Sequence, residues 1–417
     1  MLRSESVQAW ATKVLMGALV GFPIINYEFS LSFWQPFGSV WDKLVLLFLA
    51  LIAWRRHRQG RRADGFAWRK YAGWYILYCA ALVLVGLKYP VLALNGFSVD
   101  VEYIVLGMLL PFVVDSQDIG KYAYGMVSVS ILLGVHGVFQ YIMKVPIPSS
   151  WLDVGEHVRT RVFSVIRSPA ELGANMEMMI PFMFAMLLYD RHRVRQWIYF
   201  LGGLCCVATL LFTYDRGSWM GFGVSMVVIA VVYERRLLIA FAGLCIIAFF
   251  IPSIHHRIAD LFNFVYLIKS AQGGRVMLWQ TAFNVMSRDP LFGVGLGQYG
   301  GSIAASHSLS VYSDNYYAKI LGESGLVGLV LFISMHIAIV REIIVTVVRR
   351  ATGRDRYIAL AGLAAVCAVL VHSFVENLFE YSPTALEYFM LVGLLLLWGR
   401  TLPAPHSNSA EAFPGSA

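Results

Sequence analysis

RRHRQGRRADGFAWRK, residues 55–70, is the most basic stretch of the chain and lies between two apolar runs, near 40–54 and 71–87. A helix of roughly 20 apolar residues crosses the ~30 Å hydrocarbon core of a bilayer. Lys and Arg in the short loops between such helices stay on the cytoplasmic side. The stretch therefore reads as a cytoplasmic loop between two membrane helices, and it orients the rest of the chain. Other apolar runs fall near 11–27, 99–115, 121–143, 172–189, 196–213, 217–233, 236–252, 317–340, 357–375 and 385–402. Counted alternately from 55–70, the connectors DRHRVR (190–195), YERR (233–236) and REIIVTVVRRATGRDR (341–356) come out cytoplasmic, and each is basic. The reading is an all-α polytopic membrane protein of about twelve spans over residues 1–402. Both termini are cytoplasmic, and 403–417 is expected as a disordered tail.

Composition agrees. Of the 417 residues 58% are hydrophobic and 14% charged, with a mean hydropathy of +0.65, whereas about a quarter of a soluble domain is charged. The net charge of +8 sits in the membrane loops rather than in a patch, so no nucleic-acid partner is expected. Cys79, Cys205, Cys206, Cys245 and Cys367 all lie in apolar runs, which leaves no loop with a disulfide framework or a CxxC metal pair. The first run has no small-x-small cleavage signal and reads as a retained helix.

Two longer segments then lie outside, at about 144–171 and 253–316. The first carries Arg159, Arg161 and Arg167, the second Arg257, Arg275 and Arg288, against the topology rule. A guanidinium presents a planar fork of donors that matches phosphate oxygens, so the group can hold a diphosphate. Pairing with Asp153, Glu156 and Asp260, or with lipid headgroups, is the plainer alternative. Within the second segment, GRVMLWQTAFNVMS (274–287) places Val276, Trp279, Phe283 and Met286 at helical spacing. It is too short and polar to span, so a partly helical external loop precedes the tenth helix. GVGLGQYGG (293–301) reads as a tight loop.

Two polar stretches interrupt the apolar pattern. TYDRGSWMGF (213–222) sets Asp215 and Arg216 in an outer turn, either lining a cavity or capping a helix. HSLSVYSDNYYAKILGESGLVGLVLF (307–332) runs from His307, Asp314 and Asn315 into a helix bearing Lys319 and Glu323. Four residues apart, Lys319 and Glu323 share a face and can neutralise each other. Asp314 is placed either as a general base toward a hydroxyl or as the helix N-cap. Gly322, Gly325 and Gly328 recur every three residues, as close helix packing requires. His136, Glu177, His372 and Glu376 are further polar residues in apolar surroundings, without an assigned role.

Arg161 followed by SPAELGANMEMMIPF, then TYDRGSWMGF, GGRVMLWQTAFNVMSRDPLFGVGLGQY and DNYYAKILGESGLVGLVLF resembles the bacterial O-antigen ligase and O-antigen polymerase superfamily, over about residues 155–400. The resemblance implies an all-helical glycosyltransferase of the inner membrane, working on the periplasmic face without a cofactor. Such enzymes join a glycan carried on undecaprenyl diphosphate to a second lipid-linked sugar. It implies that Arg161, Arg216 and Arg275 contact the diphosphate; read from the residues themselves, Arg159, Arg288, Asn315 and Lys319 are further candidates for the binding set. Ligases of the family show His-Asn where this chain has Asp314-Asn315, so Asp314 stands for the histidine or His307 reaches in from upstream.

The chemistry such a site would need, attack opposite an already activated diphosphate, points to inverting transfer, and with no clear metal site in the sequence metal-independent transfer is expected. Arginines hold the departing diphosphate, and Asp314 handles the acceptor hydroxyl. Polymerisation of surface polysaccharide or O-antigen repeat units is expected ahead of ligation to lipid A-core, with a chain-length regulator as a further partner. A transporter for an anionic solute is the rival from another class. The chain lacks the related halves common in transporters.

Overall fold

The computed structural model describes residues 2–31, 34–62, 65–86, 89–148, 160–250 and 274–403, together with His255 and Ala259. Among these, regular structure is helical throughout and no strand occurs. The expected Arg159, the acidic partners Asp153, Glu156 and Asp260, Arg257 and the tail beyond 403 lie outside the described residues.

Helices stand on all twelve apolar runs. The first run is not one helix, because α1 (Leu2–Val20) and α2 (Phe22–Leu31) meet at 74°, at Gly21 and next to Pro23. Then come α3 (Trp41–Arg58), α4 (Trp68–Val85), α5 (Pro90–Val113), α6 (Ile119–Met143), α7 (Pro169–Tyr189), α8 (Arg193–Phe212), α9 (Arg216–Val232) and α10 (Arg236–Phe249). The last four are α11 (Arg275–Met286), α12 (Tyr316–Glu342), α13 (Asp355–His372) and α14 (Ser382–Thr401). Among the described residues seven helices can cross a membrane by length and composition, or eight if the bent first pair counts as one, so twelve spans are not established. The shortfall has local causes. In α3 the apolar part is confined between Lys43 and Arg55, α4 opens on Arg69 and Lys70, and α9 and α10 have 17 and 14 residues.

α7, α13 and α14 form the buried centre, with α9 and α8 packed on one flank and α5 on the other. The basic connectors gather at one end. Arg56 and Arg61 donate to carbonyls of 111–114 and pair with Asp115, Arg354 donates to the Tyr189 carbonyl and Arg356 to that of Val232.

α12 folds back on itself. Gly325 sits at φ 64°, ψ −166°, and the Tyr316 ring lies 5.4 Å from that of Phe332, although a straight helix would set them about 24 Å apart. The arm 316–324 thus runs beside the start of 326–342. Irregular backbone at membrane depth is tolerated only where protein supplies its hydrogen bonds. Here the glycine-rich loop supplies them: the amides of Val294 and Gly295 donate to the Gly322 and Glu323 carbonyls at 3.0 and 2.9 Å, and the Leu326 amide donates to Pro290. A Cβ on Gly293 would lie 2.5 Å from the Gly322 oxygen, and one on Gly325 2.4 Å from the Leu291 carbonyl. The stretch read as a tight loop plugs the break in α12, and Gly325 makes a turn rather than a helix-packing face.

Candidate active site

The end of the bundle opposite the basic connectors is built from three pieces of chain. The first is the turn between α8 and α9. Asp215 caps α9: its Oδ2 accepts from the Ser218 amide at 2.8 Å and from the Ser218 hydroxyl, as an N-cap carboxylate does. Arg216 follows as the first residue of α9. Arg161 docks on the same turn, its Nε–H donating to the Thr213 carbonyl at 3.0 Å, while the Val162 amide donates to Phe212. Two arginines remote in sequence therefore share one turn.

The second piece is the start of α12 facing the start of α11. Asn315, not Asp314, is the cap of α12, with Oδ1 accepting from the Ala318 amide at 3.0 Å. Asp314 is held in the left-handed region at φ 45° and takes no part in capping. Its Oδ2 lies 3.6 Å from the Nε of Arg275, the two side chains 37% and 33% exposed. About a third of each side chain is exposed, so the pair is reachable from solvent.

The third piece is the link from α13 to α14, HSFVENLFEYSP (372–383). Asn377 stitches it to the second: its Oδ1 accepts from the Ser313 hydroxyl and the Asn315 amide, and its Nδ2 donates to the Gly300 carbonyl. The Tyr316 amide donates to the Ser373 carbonyl at 2.9 Å. Glu376 accepts from the Tyr381 hydroxyl at 2.9 Å. Burial pushes the Glu376 carboxyl up to about 7, with the charges of Asp314 and Asp215 adding to the rise and Arg275 opposing it. Burial likewise raises Asp314, against the pull of Arg275. The three pieces meet: Arg275 pairs with Asp314, the Tyr316 amide reaches the Ser373 carbonyl, and Asp215 lies 3.4 Å from His372 at the start of the link that bears Glu376.

Other expected site residues fall elsewhere. Lys319 is buried, its Nζ 2.5 Å from Asp100, 3.2 Å from Glu323 and 3.3 Å from Glu380. Its pairing with Glu323 is as read, and Asp100 and Glu380 join them. Arg288 is exposed beyond the far end of α11, roughly 16 Å of helix from Arg275. His307 is exposed, and its Nδ1 meets only its neighbours Ser306 and Ile303. Sequence reading left Glu376 without a role and passed over Asn377, Glu380 and Asp100. A short link with two carboxylates and an amide at the arginine-rich end was the available signal. Among the described residues no group of three or more His, Cys, Asp or Glu is arranged to hold a metal ion.

Fold and site define a polytopic helical membrane protein with guanidinium and carboxylate groups gathered at one end of its bundle. Residues 201–333, from α8 through the fold-back of α12, match the family model described as O-antigen ligase. Over these residues the match supports the O-antigen ligase and polymerase superfamily, and with it a membrane glycan-processing enzyme of glycosyltransferase type. No curated protein sequence matches the chain.

Proposed function

We propose that the protein transfers a glycan from undecaprenyl diphosphate to a sugar hydroxyl on the periplasmic face of the bacterial inner membrane, most naturally extending a surface polysaccharide or O-antigen. The observation that carries this is the Arg275–Asp314 pair at the same end of the bundle as the turn that holds Arg161 and Arg216 and the link that bears Glu376. In the reaction the bond from the anomeric carbon to the diphosphate oxygen breaks, and its electron pair leaves with the diphosphate. Arg161, Arg216 and Arg275 stabilise that charge. The acceptor oxygen bonds to the anomeric carbon from the opposite face, inverting it, and its proton passes to Asp314 or Glu376. The leaving group is already activated, so transfer proceeds without a metal and should survive EDTA.

Asp314 in place of the family's histidine favours polymerisation. The match to the O-antigen ligase description favours lipid A-core as the second acceptor to try. The test is transfer by purified protein in lipid, from an undecaprenyl-diphosphate repeat unit, with Arg161→Ala, Arg275→Ala and Asp314→Ala alongside. Longer carrier-linked chains from wild type, reduced roughly 100-fold or more in folded variants, support the polymerase. Transfer that begins only when lipid A-core is added makes it a ligase. If neither acceptor works, the enzymatic reading fails.

A further inference from the structure

His372 closes α13 and is wholly buried between two carboxylates. Its Nδ1 lies 3.1 Å from both oxygens of Glu177 in α7, and its Nε2 lies 3.4 Å from Oδ2 of Asp215 at the head of α9. The three helices approach so closely that only glycine fits between them. A Cβ at Gly217 would fall 2.4 Å from His372 Nε2, one at Gly221 2.1 Å from Glu177 Oε2, and one at Gly173 2.0 Å from Ser218 Oγ. Three glycines on two helices thus clear space for one polar cluster. A wholly apolar contact would hold α7, α9 and α13 together without the cost of desolvating ionisable groups. What the cluster adds is a fixed orientation. Asp215 directly precedes Arg216 and belongs to the turn on which Arg161 docks, whereas His372 leads into the link bearing Glu376 and Asn377.

Resting on the function proposed above, we propose that His372 is a positioning residue: clamped between Glu177 and Asp215, it holds the arginine-bearing 213–216 turn in register with the carboxylates of the 373–381 link. The arginines act on the departing diphosphate and the carboxylates on the incoming hydroxyl. The clamp therefore sets the distance between the two reacting partners and touches neither. A misplacement of about 1 Å in such a geometry costs roughly 100-fold in rate, while each partner's own binding contacts persist.

The test uses the full chain in lipid nanodiscs with an undecaprenyl-diphosphate repeat unit, measuring kcat and KM per folded protein. Gly217→Ala removes no polar group but drives a methyl into the imidazole, which must shift. Gly223→Ala on the same helix, whose Cβ meets only Phe241 at 3.7 Å, is the control. Gly217→Ala, His372→Gln and Asp215→Asn are each expected to lower kcat roughly 10- to 100-fold with KM within about twofold. The double variant His372→Gln, Asp215→Asn should be no worse than the poorer single one. If folded Gly217→Ala and His372→Gln keep the wild-type kcat, the proposal is overturned. It is equally overturned if every variant of the clamp fails to fold while Gly223→Ala folds, since the cluster is then packing alone. Absence of transfer by wild type removes the parent function as well, and so is told apart from failure of the clamp.

Discussion

A carboxylate accepts a proton only while ionised, and burial pushes Glu376 up to about 7. The transfer rate should therefore rise as pH is raised through about 7, and Glu376→Gln should abolish that step in the pH–rate profile. Stability runs the opposite way. A carboxyl whose folded value lies above its ordinary ~4.3 favours the fold fully below that value and loses the contribution as pH rises through about 7. At Lys319 three carboxylates converge on one buried ammonium. Lys319→Met leaves them facing one another and should destabilise the protein by about 3–5 kcal/mol, read as a lower melting temperature in detergent. Of this cluster only Lys319 and Glu323 were legible beforehand, because a spacing of four fixes two side chains on one face. Asp100 and Glu380 reach it from other helices, and no local pattern encodes such a meeting. Arg161, Arg216 and Arg275 stood out because arginine is unusual in segments that the charge pattern reads as external. The Glu376 link did not, since a polar connector is what any loop looks like.

Helices were legible wherever an apolar run was uniform, and their breaks were not. Through GESGLVGLVLF (322–332) the apolar pattern continues across Gly325, so α12 reads as one span and the fold-back is hidden. Its cause lies some thirty residues earlier, in the glycine-rich loop that hydrogen-bonds to the broken turn. Gly325→Ala tests this: at φ 64° and ψ −166° the backbone is one essentially reserved to glycine, at about 1–3 kcal/mol for any other residue, before the clash with Leu291. The variant should melt clearly below wild type, while Gly243→Ala, with nothing within 4 Å of its Cβ, should not. The cap of α12, for which Asp314 was one of two readings, falls one residue later, at Asn315. Asp and Asn are equally good caps, and only the left-handed turn at Asp314 decides between them.

For the whole molecule, the basic connectors meet at one end and the candidate site at the other, as alternation of charge suggested. The membrane orientation that follows is open to chemical labelling. In a background with the native cysteines replaced, Leu309→Cys, exposed at the site end, should react with an impermeant maleimide on intact spheroplasts. Arg62→Cys should react only after permeabilisation. The reverse pattern would turn the protein over and move the site to the cytoplasm. The fold-back of α12 also bears on how the protein is made. The arm 316–324 carries Lys319 and Glu323 into the bundle, yet it is too short and too charged to be released into lipid by a translocon. The ribosome synthesises it before Glu380, which completes the ion cluster, and before Asn377, which anchors the preceding loop. A nascent chain halted at the end of α13 therefore holds a lysine with a missing counter-charge and an unfastened site, so the cluster and the loop are completed only by the link that leads into the final helix.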